Sequence, residues 1–346
     1  MFTAREHKII ECIKASGECS SKEVFDNAGL DVSYATLKRI LVQLVADNYL
    51  ISTGQRKGTK YSVSPLWEMI RPIDPEEYYK KEIDDREIRQ GFNFSLIKQM
   101  LPKHNVFTAQ ELEKLAEFHK IFRNNISQLS TNAYKKELER LAIDLSWKSS
   151  QIEGNTYSLL ETERLLKDKE TAAGKTKEEA IMLLNHKEAI DFIIENPDYL
   201  SPLSVSKIED IHSILVKELG VDRNIRNRRV GISGTNYRPL DNEFQINEAL
   251  RNSCVLINKK NNVFEKALLA LVLISYIQPF MDGNKRTARI VSNALLINQN
   301  YCPLSFRTVD PIEYKKAMLL FYEQNNISCF KEIFINQFEF AVNTYF

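Results

Sequence analysis

Between Gln278 and Arg289 the chain reads QPFMDGNKRTAR, a density of Pro, Gly, Asp and Arg that neither a strand nor a helix interior requires. Pro279 has no backbone donor and pushes the residue before it away from α geometry, so it ends the apolar run that precedes it. Gly283 permits a tight turn and close approach of a ligand to the backbone. Asn284 is a good cap for the helix that begins KRTARIVSNALL. Backbone N–H groups at such a helix start, aided by its dipole, form an anion site. Arg286 and Arg289 are three apart and Asn293 is four further on, which places all three on one face. Two guanidiniums beside a helix N-terminus suit a polyphosphate. Asp282, on the loop before them, could hold a hard divalent cation against the same phosphates.

These residues need a scaffold, and a chain of 346 residues, 43% hydrophobic and 27% charged, can build one with a real core and two or three domains. The apolar run ALLALVLISYI before the motif is 11 residues long, which reads as a buried helix and is far short of a membrane span. From about residue 106 to 346 nearly everything reads as helix, so a mainly α domain is expected there. One break stands out. RRVGISGTNYRPL, residues 228–240, sets Gly231 and Gly234 among Ile232, Ser233 and Thr235, and predicts a short hairpin-like β flap in an otherwise helical domain.

Residues 1–64 read as a separate α+β unit. Two helical patterns, a turn, a third helix with Leu37, Ile40, Leu41, Leu44 and Val45 on one face, and two short strands around a basic loop make a winged helix-turn-helix layout. Its DNA-binding candidates are Tyr34, Lys38 and Arg39 on the third helix, with Arg56, Lys57 and Lys60 in the wing. Acids at 6, 11, 18, 23, 26, 31 and 47 leave residues 1–64 close to balanced in charge, so DNA binding, protein interaction and a structural role all stay open. Residues 65–105, with four prolines and mixed charge, read as a linker and packing segment. A net charge of +1 argues against wholesale capture by nucleic acid or an anionic membrane. Five scattered cysteines without a CxxC pair argue against a disulfide framework or a zinc site. The charged start MFTAREHKIIECIK lacks a signal-peptide core, so a cytoplasmic protein is expected.

The central segment resembles the defining motif of the Fic (Fido) domain, HPFxxGN(G/K)RxxR, through Pro279, Phe280, Gly283, Asn284, Lys285, Arg286 and Arg289. SSQIEGN, with Ser149, Glu153 and Gly154, is similar to the family's inhibitory helix (S/T)xxxE(G/N), and residues 230–240 resemble its target-binding flap. The resemblance implies AMP transfer from ATP to a hydroxyl of a target protein, with ATP and Mg²⁺ as cofactors. It implies that the Gly283–Asn284 loop, Lys285, Arg286, Arg289 and Asn293 bind nucleotide and that Asp282 holds the metal. It also implies that Phe280 anchors the loop, that Glu153 pairs with Arg289 to exclude the productive phosphate pose, and that a second copy of the chain is a candidate partner.

Gln278 departs from that pattern. The family's first motif residue is a His that deprotonates the attacking hydroxyl, with Asp282, Asn284 and Arg286 completing the catalytic set. A carboxamide can orient a hydroxyl but has no usable basicity near neutral pH, and a missing general base costs roughly 10²–10⁴ in rate. The expectation is therefore a domain that binds nucleotide but transfers little. The alternative is a DNA-binding regulator whose helical domain senses a nucleotide or a partner.

Overall fold

The computed structural model describes residues 2–346; Met1 and the side chain of Lys57, one of the predicted wing contacts, lie outside the described residues. The N-terminal unit runs α1 (Ala4–Ser16), β1 (Glu18–Ser20), α2 (Ser21–Asn27), α3 (Tyr34–Ala46), β2 (Leu50–Thr53) and β3 (Lys60–Val63). Thr3 and Ser20 start α1 and α2 with capping boxes to Glu6 and Glu23, and Ser33 caps α3, so unpaired N–H groups at each start find a local acceptor. The strands form one antiparallel sheet in the order β1-β3-β2, with Glu18 opposite Ser62 and Leu50 opposite Val63. Ile9, Ile10, Ile13, Leu37, Leu41 and Leu44 close a small apolar cluster of their own beneath it.

Two short helices, α4 (Trp67–Ile70) and α5 (Pro75–Tyr79), follow in residues 65–105. Both ends of this stretch are sunk into the main core through Leu66, Met69, Ile70, Leu96, Ile97 and Leu101. Between them the chain lies along the surface of the helical domain.

That domain comprises α6 (Ala109–Gln128), α7 (Thr131–Ile152), α8 (Leu159–Asp168), α9 (Lys177–Glu195), α10 (Val205–Leu215), α11 (Glu243–Lys259), α12 (Val263–Ile277), α13 (Asn284–Asn298), α14 (Pro311–Gln324) and α15 (Ser328–Tyr345). The apolar run at 267–277 fills α12, which is buried from Ala267 to Ile277, so it is the central helix around which the others pack. It lies against α13, whose start carries the motif cations. No described helix is long and apolar enough to cross a membrane.

The expected hairpin at 228–240 is a point of difference. These residues form no strand and pair with no other strand; they run as a largely exposed loop, and all three strands lie in the N-terminal unit. Two glycines among β-formers give the local propensity, but a strand needs a partner edge, and an all-helical surround supplies none. β1 is the converse case, a three-residue strand within GECSS that acquires its identity only by pairing with β3.

Candidate active site

The loop from Gln278 to Gly283 joins α12 to α13 and is held from several sides. Gln278 ends α12 in the left-handed region at φ 52°, donating its N–H to the Ile274 carbonyl at 3.1 Å. Its carboxamide NH₂ donates to the Ser275 carbonyl at 2.6 Å and to the Tyr322 hydroxyl at 3.3 Å, while its oxygen accepts from Asn284 Nδ2 at 3.0 Å. The side chain is thus a structural brace at the wall of a cleft, and no atom of it is a proton acceptor of useful strength. Asn284 also donates to the Phe280 carbonyl and accepts the Phe280 N–H, both at 2.8 Å. It is therefore not the cap of α13. Gly283 occupies that position at φ 79° with no side-chain cap, and Asn284 is the first helical residue, cross-tying the loop instead. Gly283 is required on two counts, since a Cβ there would lie 3.2 Å from Val216 Cγ1 and 3.4 Å from the His212 ring.

The first turns of α13 carry the cations. Arg286 is 1% exposed and meets Asp282 at 3.0 Å through one terminal nitrogen, while its Nε and the other terminal nitrogen have no partner among the described residues. Arg289, 0% exposed, donates to the Ser149 hydroxyl at 2.8 Å, to the Ser149 carbonyl at 3.1 Å and to Glu153 at 2.6 Å, leaving Nη1 unpartnered. Lys285 holds the second carboxylate oxygen of Glu153 at 2.7 Å. Asp282 itself is exposed. An uncapped helix start, two buried guanidiniums with free donors and an accessible carboxylate fit a polyphosphate with a divalent cation.

Burial alone would raise the Glu153 pKa, but Arg289 and then Lys285 outweigh it and hold the carboxyl at about 2 against an ordinary 4.5. A lowered folded-state pKa means the stabilisation is complete above pH 4.5 and disappears as pH falls through about 2. A shift of that size corresponds to roughly 3 kcal/mol. Wild-type stability, measured by urea unfolding at a series of pH values, should fall more steeply across that window than the stability of Glu153→Gln. Equal slopes would mean the carboxylate is unpaired in solution.

A cleft of 220 Å³ opens between this cluster and the flap loop. Gly231, Ile232 and Ser233 line it on the flap side, Gln278 and Lys285 on the motif side, and Ile152 with Tyr314, Lys315, Met318, Leu319 and Tyr322 complete it. Gly234 packs on Leu319, where a Cβ would come within 3.3 Å, and Thr235 turns inward to accept the Tyr237 N–H at 3.1 Å. Gly154, at φ 97°, lets the chain leave α7 directly after Glu153.

Asn293 does not join the group. Its amide donates to and accepts from the Leu304 backbone at 3.0 and 2.7 Å, and it is 1% exposed. The spacing puts it on the same helix as the arginines, but two turns into the core, where it pins a loop. In the N-terminal unit Lys38 and Arg39 are exposed on α3, whereas Lys60 faces Glu18 at 3.6 Å and the Tyr34 hydroxyl meets Ser21 at 2.7 Å. Arg56 is exposed at the wing tip with φ 51°.

Several residues that shape the site carry no mark in the sequence. Arg226 donates from Nε to the Gln278 carbonyl at 2.6 Å and from its backbone to Pro279 at 3.0 Å, but in NIRNRRV it is one cation among many. Tyr314 and Tyr322 sit in α14 among apolar and charged residues alike, with no local pattern that marks them. His212 has the motif's Phe280 stacked on it at 3.6 Å, with Nε2 3.0 Å from the Asp282 carbonyl. Burial lowers its pKa, against the Asp282 and Arg223 carbonyls, which raise it, and the ring braces the loop between those two carbonyls. His186 is buried with neither nitrogen partnered among the described residues, and burial followed by Arg289 and Arg286 drives its pKa well down.

Residues 202–296 match the Fic/DOC family. The chain is 28% identical over 227 residues to the Protein adenylyltransferase Fic of Nematostella vectensis, covering 63% of this chain and 51% of that relative. It is 31% identical over 193 residues to the Protein adenylyltransferase Fic of Aedes aegypti, covering 53% and 38%. It thus spans about half or less of the length of these curated relatives. Among solved structures, Fic-1 of C. elegans superposes with a TM-score of 0.58 at 20% identity, over 68% of this chain and 72% of that one. A Fic-domain signalling protein of Bacteroides thetaiotaomicron superposes with 0.57 at 17% identity, over 67% and 95%. At such identities the superpositions establish the fold alone, and the sequence matches support homology with the Fic/Fido adenylyltransferase family.

Proposed function

We propose that the helical domain binds ATP with Mg²⁺ at the start of α13, and that its transfer of AMP to a protein hydroxyl is held back at two points. The observation that carries this reading is the pair of buried arginines with unpartnered nitrogens in the first turns of a helix whose start has no side-chain cap. Asp282 would hold Mg²⁺, whose charge would offset that of the phosphates. In the transfer, the acceptor oxygen forms a bond to the α-phosphorus, the bond to pyrophosphate breaks, and the hydroxyl proton leaves to a base. Gln278 supplies no base. Glu153 occupies the Arg289 and Lys285 donors that an outer phosphate would use.

Calorimetry tests the binding half directly. ATP–Mg²⁺ should bind the wild type weakly and Glu153→Gly more tightly, because the second chain presents a free Arg289. Arg286→Ala should lower affinity by about 10–100-fold, the equivalent of one charge-assisted hydrogen-bonded contact. Absence of binding in both the wild type and Glu153→Gly would sink the reading.

A second reading rests on the N-terminal unit. Its helix and strand order, its separate apolar cluster and the exposed Lys38 and Arg39 of α3 support a winged helix-turn-helix that contacts DNA, with the Fic-like domain as nucleotide or partner sensor. Salt-dependent binding to a defined duplex, lost on Lys38→Ala with Arg39→Ala, is its test. Target protein, homodimer formation and a cytoplasmic setting belong to the same proposal.

A further inference from the structure

The flap has no strand partner, so something else must order it, since fixing each backbone residue costs roughly 1–2 kcal/mol. At its C-terminal side the buried Tyr237 donates from its hydroxyl to the Tyr276 carbonyl of α12 at 3.1 Å. A second set of ties leads to residues 84–90, outside the segment that matches the Fic/DOC family. Arg86 donates from Nη2 to the Gly234 carbonyl at 3.0 Å. Asn236 donates to Asp84 at 3.1 Å, and the Arg238 N–H donates to the Gln90 carbonyl at 2.8 Å. The Arg86 side chain is only 5% exposed and forms an ion pair through Nη1 with Glu323, which is 0% exposed, at 3.3 Å. The Tyr79 ring lies 5.0 Å from its guanidinium. Glu323 is fixed in turn by the Tyr78 hydroxyl at 2.7 Å, and its carbonyl accepts the Arg89 N–H at 2.9 Å. It directly follows Tyr322, the residue that meets Gln278 at the cleft wall.

We propose that Arg86 is a positioning residue that clasps the flap to α14, so that the arm leading from the N-terminal unit sets the acceptor side of the cleft. A buried ion pair by itself says little about stability. The informative feature is the second polar contact of the same guanidinium, which leaves the buried pair and ends on the backbone of an exposed loop. Only the planar fork of an arginine can face two ways in this manner; a lysine offers a point charge. The consequence for an acceptor rests on the transfer reading above, but the clasp does not.

Hydrogen–deuterium exchange on the full chain separates a clasp from mere neutralisation of Glu323. Arg86→Lys keeps a cation for Glu323 and gives up the fork. Peptides covering 228–240 should then exchange about tenfold faster or more, the equivalent of one charge-assisted bond, while α12 and α14 keep their protection. Arg86→Met combined with Glu323→Gln leaves no buried charge unpaired and should loosen the same peptides. Unchanged flap exchange in both variants, or protection lost evenly over α12, α14 and the flap, overturns the proposal. In a chain also carrying Gln278→His and Glu153→Gly, Arg86→Lys should lower labelling of added protein without changing ATP affinity. If that chain labels nothing, the transfer reading fails, and the exchange result still decides the clasp.

Discussion

A chain carrying both Gln278→His and Glu153→Gly should transfer label from ATP to protein, while the wild type stays nearly inert. The expected gain from the imidazole is about 10²–10⁴, the usual contribution of a positioned general base. The geometry is favourable for the exchange, because Gln278 already lines the cleft with the flap residues and its side chain meets Asn284, the first residue of α13, at 3.0 Å. What its amide now does is structural, bracing Ser275, Tyr322 and Asn284. Glu153→Gly alone should give little, since freeing Arg289 and Lys285 makes room for a phosphate but provides nowhere for the hydroxyl proton to go. Gln278→His alone should be limited by the intact Glu153 pair. Incubation of the four chains with labelled ATP and a host lysate checks the order. Robust labelling by the wild type would point to another base. Silence from the double variant would shift the balance toward the DNA-binding reading.

How much of this could be read from residue order depends on the range of the interaction. α12 and α13 are legible because an apolar run, Pro279 and Gly283 act within a few residues. The two arginines are legible because three-residue spacing places them on one helix face. Asn293 shows the limit of that rule: spacing gives the face, but only packing shows that its amide reaches Leu304. The same limit applies to Asn284, whose type suits a cap and whose partners are across the loop. The flap is legible as a break in the helical pattern, but the hairpin expected there does not form, since pairing depends on what lies beside it. Arg86 and Glu323 are 237 positions apart in the numbering, and nothing local to either announces the other. The arm that contains Arg86 reads as a linker because its prolines and mixed charges describe only its own backbone.

The largest stability effect should come from Phe280→Ala. The ring is 0% exposed and stacks on His212 with centroids 3.6 Å apart and planes within 4°. Truncating a buried Phe in a site that cannot collapse costs about 3–5 kcal/mol. Collapse is restricted here, because Phe280's own backbone is tied at both its N–H and its carbonyl to Asn284, and His212 is tied to the Asp282 and Arg223 carbonyls. The cavity would therefore persist between α10 and the loop. Unstacking also frees His212 to tilt, and with it the Asp282 carbonyl and the turn at Gly283. Phe280→Ala should then weaken ATP binding as well as folding, although the ring is buried away from the cleft. Phe280→Leu, which restores most of the lost volume, should recover most of both. Urea unfolding and calorimetry on the two variants provide the measurement. If alanine lowers stability as expected but leaves nucleotide affinity untouched, the loop is held by Asn284 and Arg226 alone, and Phe280 belongs only to the core.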